Sequence, residues 1–128
     1  MSTIKSFRDL LVWQKAMDLA ELIYRLAKHM PRTEEYRLTG QLLRAAASVP
    51  ANIAEGHMRG TRKDYAHFVT IARGSLAELE TQVLMAERLG YVPKTELTQL
   101  LTRTDELGKM LRGLQKSLKL RRERGGGN

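Results

Sequence analysis

The sequence predicts an all-α protein, an antiparallel up-down-up-down four-helix bundle, and three observations carry that expectation. Leu, Ala, Arg, Lys, Glu and Gln are abundant, with little β-branching and only 5% aromatic residues. Apolar residues recur every three or four positions in four successive stretches. Short links at Pro31, at Gly56 to Gly60 and at Gly90 to Pro93 separate those stretches. A chain of 128 residues fits one domain, expected over residues 1–124 with a disordered 125–128 tail, and can bury a core without disulfides or metals.

The first helix is expected to start near Ser6 or Phe7, with Ser6 as cap and Asp9 as the acidic member of a capping box, and to run to about Met30. Leu10, Trp13, Met17, Ala20, Tyr24 and Ala27 form one row, and Val12, Leu19, Leu22, Ile23 and Leu26 a second. The combined apolar sector is wider than one bundle core needs, which predicts that part of it meets a second copy of the chain. Pro31 ends this helix, and Thr33-Glu34-Glu35 is expected to cap the next, which carries Tyr36, Leu38, Leu42 and Leu43.

The second helix contains the stretch around which the chain is organised, Arg44 to Gly56, whose small residues allow another backbone to come close. Pro50 removes an amide donor and disfavours helical angles at Val49, so a kinked or interrupted helix is expected there. Asn52 and Glu55 need polar partners if buried, and Gln41 and Arg44 are the nearest candidates. With neither a nucleophile and base nor a ligand set in it, the stretch reads as architectural. His57, Arg59, Arg62 and Lys63 make a basic turn at its exit, a candidate nucleic-acid contact weighed against an ordinary solvated loop.

Thr61 and Asp64 form the cap of a third helix, whose face reads Tyr65, Phe68, Val69, Ala72, Leu76, Leu79, Val83 and Ala86. Gly74 and Ser75 lie inside it. Glycine there costs roughly 1 kcal/mol against alanine, which implies a need for packing room against the small residues of helix two. After Tyr91-Val92-Pro93, the fourth helix repeats Leu97, Leu100, Leu101, Thr104, Leu107, Leu111, Leu114 and Leu118. Off that face, Lys109, Arg112, Lys116 and Lys119 form one basic stripe, continued by Arg121, Arg122 and Arg124. From Lys94 to Arg124, nine basic residues stand against four acidic ones.

A net charge of +8 points to an anionic partner. The absence of cysteine excludes disulfides and thiolate metal sites and suits a reducing cytoplasm. Neither a signal peptide nor a membrane span is recognisable, so no membrane partner is expected. A di-iron bundle needs paired Glu-x-x-His motifs, and none occurs; Asp64 and His67, with His29 and His57 unplaced, make a poor metal site. No catalytic residue, cofactor or metal is therefore assigned.

Three blocks carry a resemblance: Asp9 to Leu19, Arg44 to Gly56 with its Asn52-Ile-Ala-Glu-Gly56 core, and Gly74 to Gln82. In content, order and interval they resemble the four-helix bundle proteins often encoded in intervening sequences of bacterial 23S ribosomal RNA genes. The likeness spans Phe7 to Val92 and marks Arg44, Pro50, Asn52, Glu55, Gly56, Gly74, Ser75 and Glu78 as motif positions of packing and assembly. It implies a ring-like homo-oligomer, a pentamer, and a relationship to the accessory variability determinant of diversity-generating retroelements, which binds reverse transcriptase and nucleic acid. The expected function is a non-enzymatic basic ring that binds RNA, DNA or a nucleic-acid enzyme through Lys109, Arg112, Lys116, Lys119, Arg121 and Arg122. The alternative is a scaffold for an acidic protein, without nucleic-acid binding.

Overall fold

The computed structural model describes residues 4–125, with side chains through Lys119. A 3-10 turn at Phe7–Asp9 precedes α1 (Leu11–Ala27), and a second at Arg32–Glu34 precedes α2 (Leu38–Met58). Then follow α3 (Arg62–Arg88) and α4 (Lys94–Gly125). All regular structure among the described residues is helical. Gly125, expected to begin a disordered tail, is the last residue of α4; the rest of that expectation, 126–128, lies outside the described residues.

The ends of the first two helices differ from the sequence expectation. The Ser6 cap forms, with Ser6 Oγ accepting from the Arg8 amide at 3.0 Å and Asp9 Oδ2 from the Ser6 amide at 3.1 Å. It closes the 3-10 turn, and extended Leu10 then separates that turn from α1. At the other end the amides of Lys28, His29 and Met30 reach back three residues, so α1 stops at Ala27 and a tighter turn leads into Pro31. Thr33 and Glu35 do not cap α2: they fall in and just after the second 3-10 turn, and Arg37 stands at the α2 cap position without a side-chain bond of its own. Of the expected group only Glu34 reaches α2, accepting from the amide of its first residue, Leu38, at 3.5 Å, and it also accepts from the Tyr91 hydroxyl at 3.0 Å. Tyr36, expected on the apolar face, is 91% exposed.

Helix α2 runs uninterrupted through Val49 and Pro50, both buried. Pro50 withholds a single amide, the one that would otherwise reach the Ala46 carbonyl. The four helices pack in cyclic order, α1 on α2, α2 on α3, α3 on α4 and α4 on α1, and among the described residues no backbone approach crosses the diagonals. Their core is Val12, Leu19 and Ile23 of α1, Leu42, Val49 and Ile53 of α2, Val69, Leu79 and Val83 of α3, and Leu107 and Leu111 of α4. Contacts between neighbouring helices run in opposite order along the two chains. Glu80 meets Thr104 while Thr70 meets Gln115; Ser48 meets Ser75 while Gly56 meets Phe68.

At Gly56, α2 and α3 approach too closely for a side chain. A Cβ built there would lie 2.7 Å from the Phe68 Cβ and 3.2 Å from Tyr65 Cδ1. Gly74, expected to provide packing room, does not: it is exposed, and a Cβ on it would meet nothing within 4 Å. Its neighbour Ser75 faces α2 instead. Gly56→Ala should therefore destabilise by about 1–3 kcal/mol, because the Phe68 Cβ can move only with its helix. Gly74→Ala should stabilise by up to about 1 kcal/mol through helix propensity. Urea titration of both variants checks the pair, and equal shifts of the same sign would contradict it.

Candidate nucleic-acid interface

The buried heptad row of α4 fixes where its charges point. With Leu97, Leu100, Thr104, Leu107, Leu111 and Leu118 turned into the bundle, Lys109, Arg112, Lys116 and Lys119 are exposed. Among the described residues none of these four pairs with a carboxylate; the ion pairs are Lys15 with Glu106, Arg25 with Glu21, and Arg59 with Glu55. Lys15 draws the Glu106 carboxyl below its ordinary pKa by hydrogen bond and charge. Arg121 and Arg122 continue the α4 backbone, and their side chains lie outside the described residues.

A groove of about 240 Å³ between α3 and α4 adds a cation that the sequence reading missed. Arg73 of α3 lines it beside Lys109 and Arg112. Its Nη1 donates to Gln115 Oε1, and Gln115 Nε2 donates to Thr70 Oγ1. Gln115 is only 7% exposed, so this polar rung crosses the α3–α4 seam among buried leucines and holds Arg73 over α4. A signal was present in the sequence. The spacing Leu111, Gln115, Leu118 places a glutamine on the buried face, where it must have a partner. The same groove also contains Glu80 and Asp105, and Glu80 Oε1 accepts from the Thr104 hydroxyl at 2.9 Å. The groove is thus acidic toward the start of α4 and cationic toward its end.

The motif residues of α2 divide into buried and exposed groups. Asn52 Nδ2 donates to the Ser48 carbonyl at 2.8 Å and to Ser48 Oγ at 2.9 Å, and Ser48 Oγ lies 2.7 Å from Ser75 Oγ across the α2–α3 seam. Neither Gln41 nor Arg44, the expected partners, takes part; both are exposed. One helical turn brings residue 48 under residue 52, and the small Ser48 side chain lets the amide reach it. Glu55 is exposed and pairs with Arg59 at 3.0 Å. Glu78 is also exposed, in a shallow groove with Leu38, Gly74 and Met85.

The apolar sector of α1 splits into two rows. Val12, Leu19, Ile23 and Leu26 enter the core, whereas Met17 and Tyr24 are 45% and 49% exposed. With Trp13, and with Ala47, Pro50 and Ala51 of α2, these two line an open groove of about 550 Å³. At the α2–α3 turn, Arg62, Lys63 and His67 are exposed, Arg59 lies over the Phe68 ring at 4.9 Å, and His57 meets Tyr65 edge-on. The Asp64 amide donates to Thr61 Oγ1, and the His67 and Phe68 rings meet T-shaped at 5.4 Å. No group of three His, Cys, Asp or Glu residues gathers among the described residues, and no helix there is long and apolar enough to cross a membrane.

The model of the 23S rRNA-intervening sequence protein family matches residues 8–113. That span holds all three sequence blocks and extends beyond them into α4, including Lys109 and Arg112 but not Lys116 or Lys119. A crystal structure of a protein with unknown function, from the S23 ribosomal protein family of Bacteroides thetaiotaomicron, is similar in fold. Its TM-score is 0.77 at 24% identity, over 83% of this chain and 96% of that one. No curated protein shows significant similarity to the sequence.

The Ser48–Ser75 contact gives a direct stability test. Ser48→Ala should cost about 1–2 kcal/mol, because buried Ser75 and half-buried Asn52 both lose a partner. In a cycle with Ser75→Ala, a coupling of at least about 0.5 kcal/mol is expected from thermal or urea unfolding. Strict additivity would show that the two hydroxyls are independent.

Proposed function

The chain belongs to the 23S rRNA-intervening sequence protein family, and on that premise we propose that it is a non-enzymatic bundle forming a ring-like homo-oligomer, a pentamer, that binds nucleic acid through α4. The observation that carries the binding reading is the run of exposed side chains Lys109, Arg112, Lys116 and Lys119, unpaired among the described residues and joined by Arg73. Arg121 and Arg122 extend the run in sequence. Each cation that replaces a phosphate counterion adds to a salt-dependent affinity, and a ring multiplies a weak contact by its copy number. Assembly is supported by the open Trp13, Met17 and Tyr24 groove, an apolar surface that a neighbouring copy would remove from water. The lack of cysteine suits assembly in a reducing cytoplasm.

Light scattering is expected to give about five times the chain mass. Met17→Glu together with Tyr24→Glu should reduce it to the monomer, because two carboxylates in an apolar interface remain unpaired. A wild-type monomer at high concentration would end the ring reading, and an unchanged oligomer would place the interface elsewhere.

Filter binding over a salt series is expected to show affinity for RNA or DNA that falls steeply with salt. Lys109→Ala with Arg112→Ala should weaken it by roughly tenfold and flatten the salt dependence by about two contacts. An acidic protein retained after nuclease treatment, by a wild type without affinity for RNA or DNA, would establish the scaffold instead.

A further inference from the structure

We propose that the nucleic-acid surface is one whole end of the bundle, formed by α4 together with the α2–α3 turn, and that its ligand is the phosphate backbone of a double helix. The proposal rests on the nucleic-acid reading above and extends it to residues on another element.

Register brings the two groups together. The Gln115–Thr70 bond, with the opposite running order of α3 and α4, places Lys119 level with about Ala66 and the α4 backbone near residue 122 level with Lys63. At a rise of 1.5 Å per residue, Arg62 is then about 6 Å along the axis from the level of Lys119, on a helix about 8–10 Å away. The same alternation around the bundle brings the N-terminal 3-10 turn, which packs on α2, to this end. Arg8, Arg59, Arg62, Lys63, Lys116 and Lys119 are all exposed there.

Three carboxylates stand near these six cations. Asp9 accepts from the Lys5 and Ser6 amides, and Glu55 pairs with Arg59. Asp64, beside Lys63, makes no ion pair among the described residues, so cations outnumber acids there. At the opposite end, basic residues alternate with acids: Arg32 and Arg37 flank Glu34 and Glu35, and Arg88 follows Glu87. The molecule is therefore electrostatically lopsided along its axis, and an anion is drawn to one end of it.

The chemistry at that end favours phosphates over bases. Its two phenylalanines are not open platforms: Arg8 lies 5.8 Å from the centroid of Phe7, and Arg59 lies 4.9 Å from that of Phe68. Single-strand binders stack bases on free aromatic faces, whereas a duplex offers one charge per about 1.7 Å of axis to a cationic patch without unstacking. Cations set about 6 Å apart along the axis and about 8–10 Å apart across it face several such charges at once.

The test is fluorescence anisotropy of the full chain with 20-base-pair duplex RNA, the same duplex as DNA, and each single strand, over a salt series. Arg62→Ala with Lys63→Ala should weaken duplex binding at least about tenfold and reduce the salt slope by about two, as should Lys116→Ala with Lys119→Ala. Arg32→Ala with Arg37→Ala, which removes the same charge from the opposite end, should leave both quantities unchanged. Circular dichroism confirms that each variant is folded, and Arg62→Glu with Lys63→Glu should give a larger loss than the alanines. The RNA and DNA arms identify which duplex the surface takes. Wild-type affinity that survives the turn substitutions, falls equally with the far-end pair, or is higher for single strands overturns this proposal and leaves the α4 reading standing. No wild-type binding in any arm overturns both.

Discussion

The close approach of α2 to α3 constrains the rest of the bundle. Gly56 sits against the Cβ of Phe68, and Ser48, Asn52 and Ser75 share hydrogen bonds across the same seam. Small and polar residues are used there because backbones that come close leave no volume for longer side chains. The gain is dense packing and a fixed register, since the hydroxyls find partners in only one alignment. Pro50 fits within this arrangement because the helix loses one donor while its ring is buried.

A consequence appears on the other flank of α2. The alanine run that keeps this helix slender presents Ala47 and Ala51 toward α1, and these cannot fill the space beside Trp13, Met17 and Tyr24. The open apolar groove is thus the other side of the close α2–α3 seam. Across the bundle, the α3–α4 seam is built differently: leucines form its core, while the Thr70–Gln115–Arg73 and Glu80–Thr104 contacts set its register. Polar side chains at that seam carry charge to the surface, and so the α3–α4 groove is ionic where the α1–α2 groove is apolar.

What the sequence made legible was whatever depends on neighbours along the chain. The heptad row of α4, the two rows of α1, the Ser6 and Thr61 caps and the direction of Lys109 through Lys119 all follow from helical periodicity and local hydrogen bonding. Most of what it hid depends on a partner far away in sequence. Ser48 found Ser75; Glu34 found Tyr91; and Gly56, not Gly74, took the tight contact, because only Gly56 faces α3 aromatics. Arg73 belongs to the same class, since its role is set by Gln115, 42 residues on. The Asn52–Ser48 bond is local, and it was missed because longer polar side chains, Gln41 and Arg44, were the expected partners. Helix ends were misplaced where two signals competed, at extended Leu10 after a satisfied cap and in the turn before Pro31.

The cyclic order of the helices leaves room for the proposed assembly and the proposed binding on separate faces. Because α2 and α4 lie on a diagonal without backbone contact, the surfaces flanking α2 and the stripe along α4 face different directions. A neighbour seated on the Trp13–Met17–Tyr24 groove covers α1 and α2 and leaves Lys109 through Lys119 in water. Charge repulsion between copies also falls when the cations point away from the shared interface. In such an assembly each added subunit buries apolar surface on one side of the bundle and adds an uncovered cationic run on the other, so the driving force for association and the multiplication of charge come from separate faces of one fold.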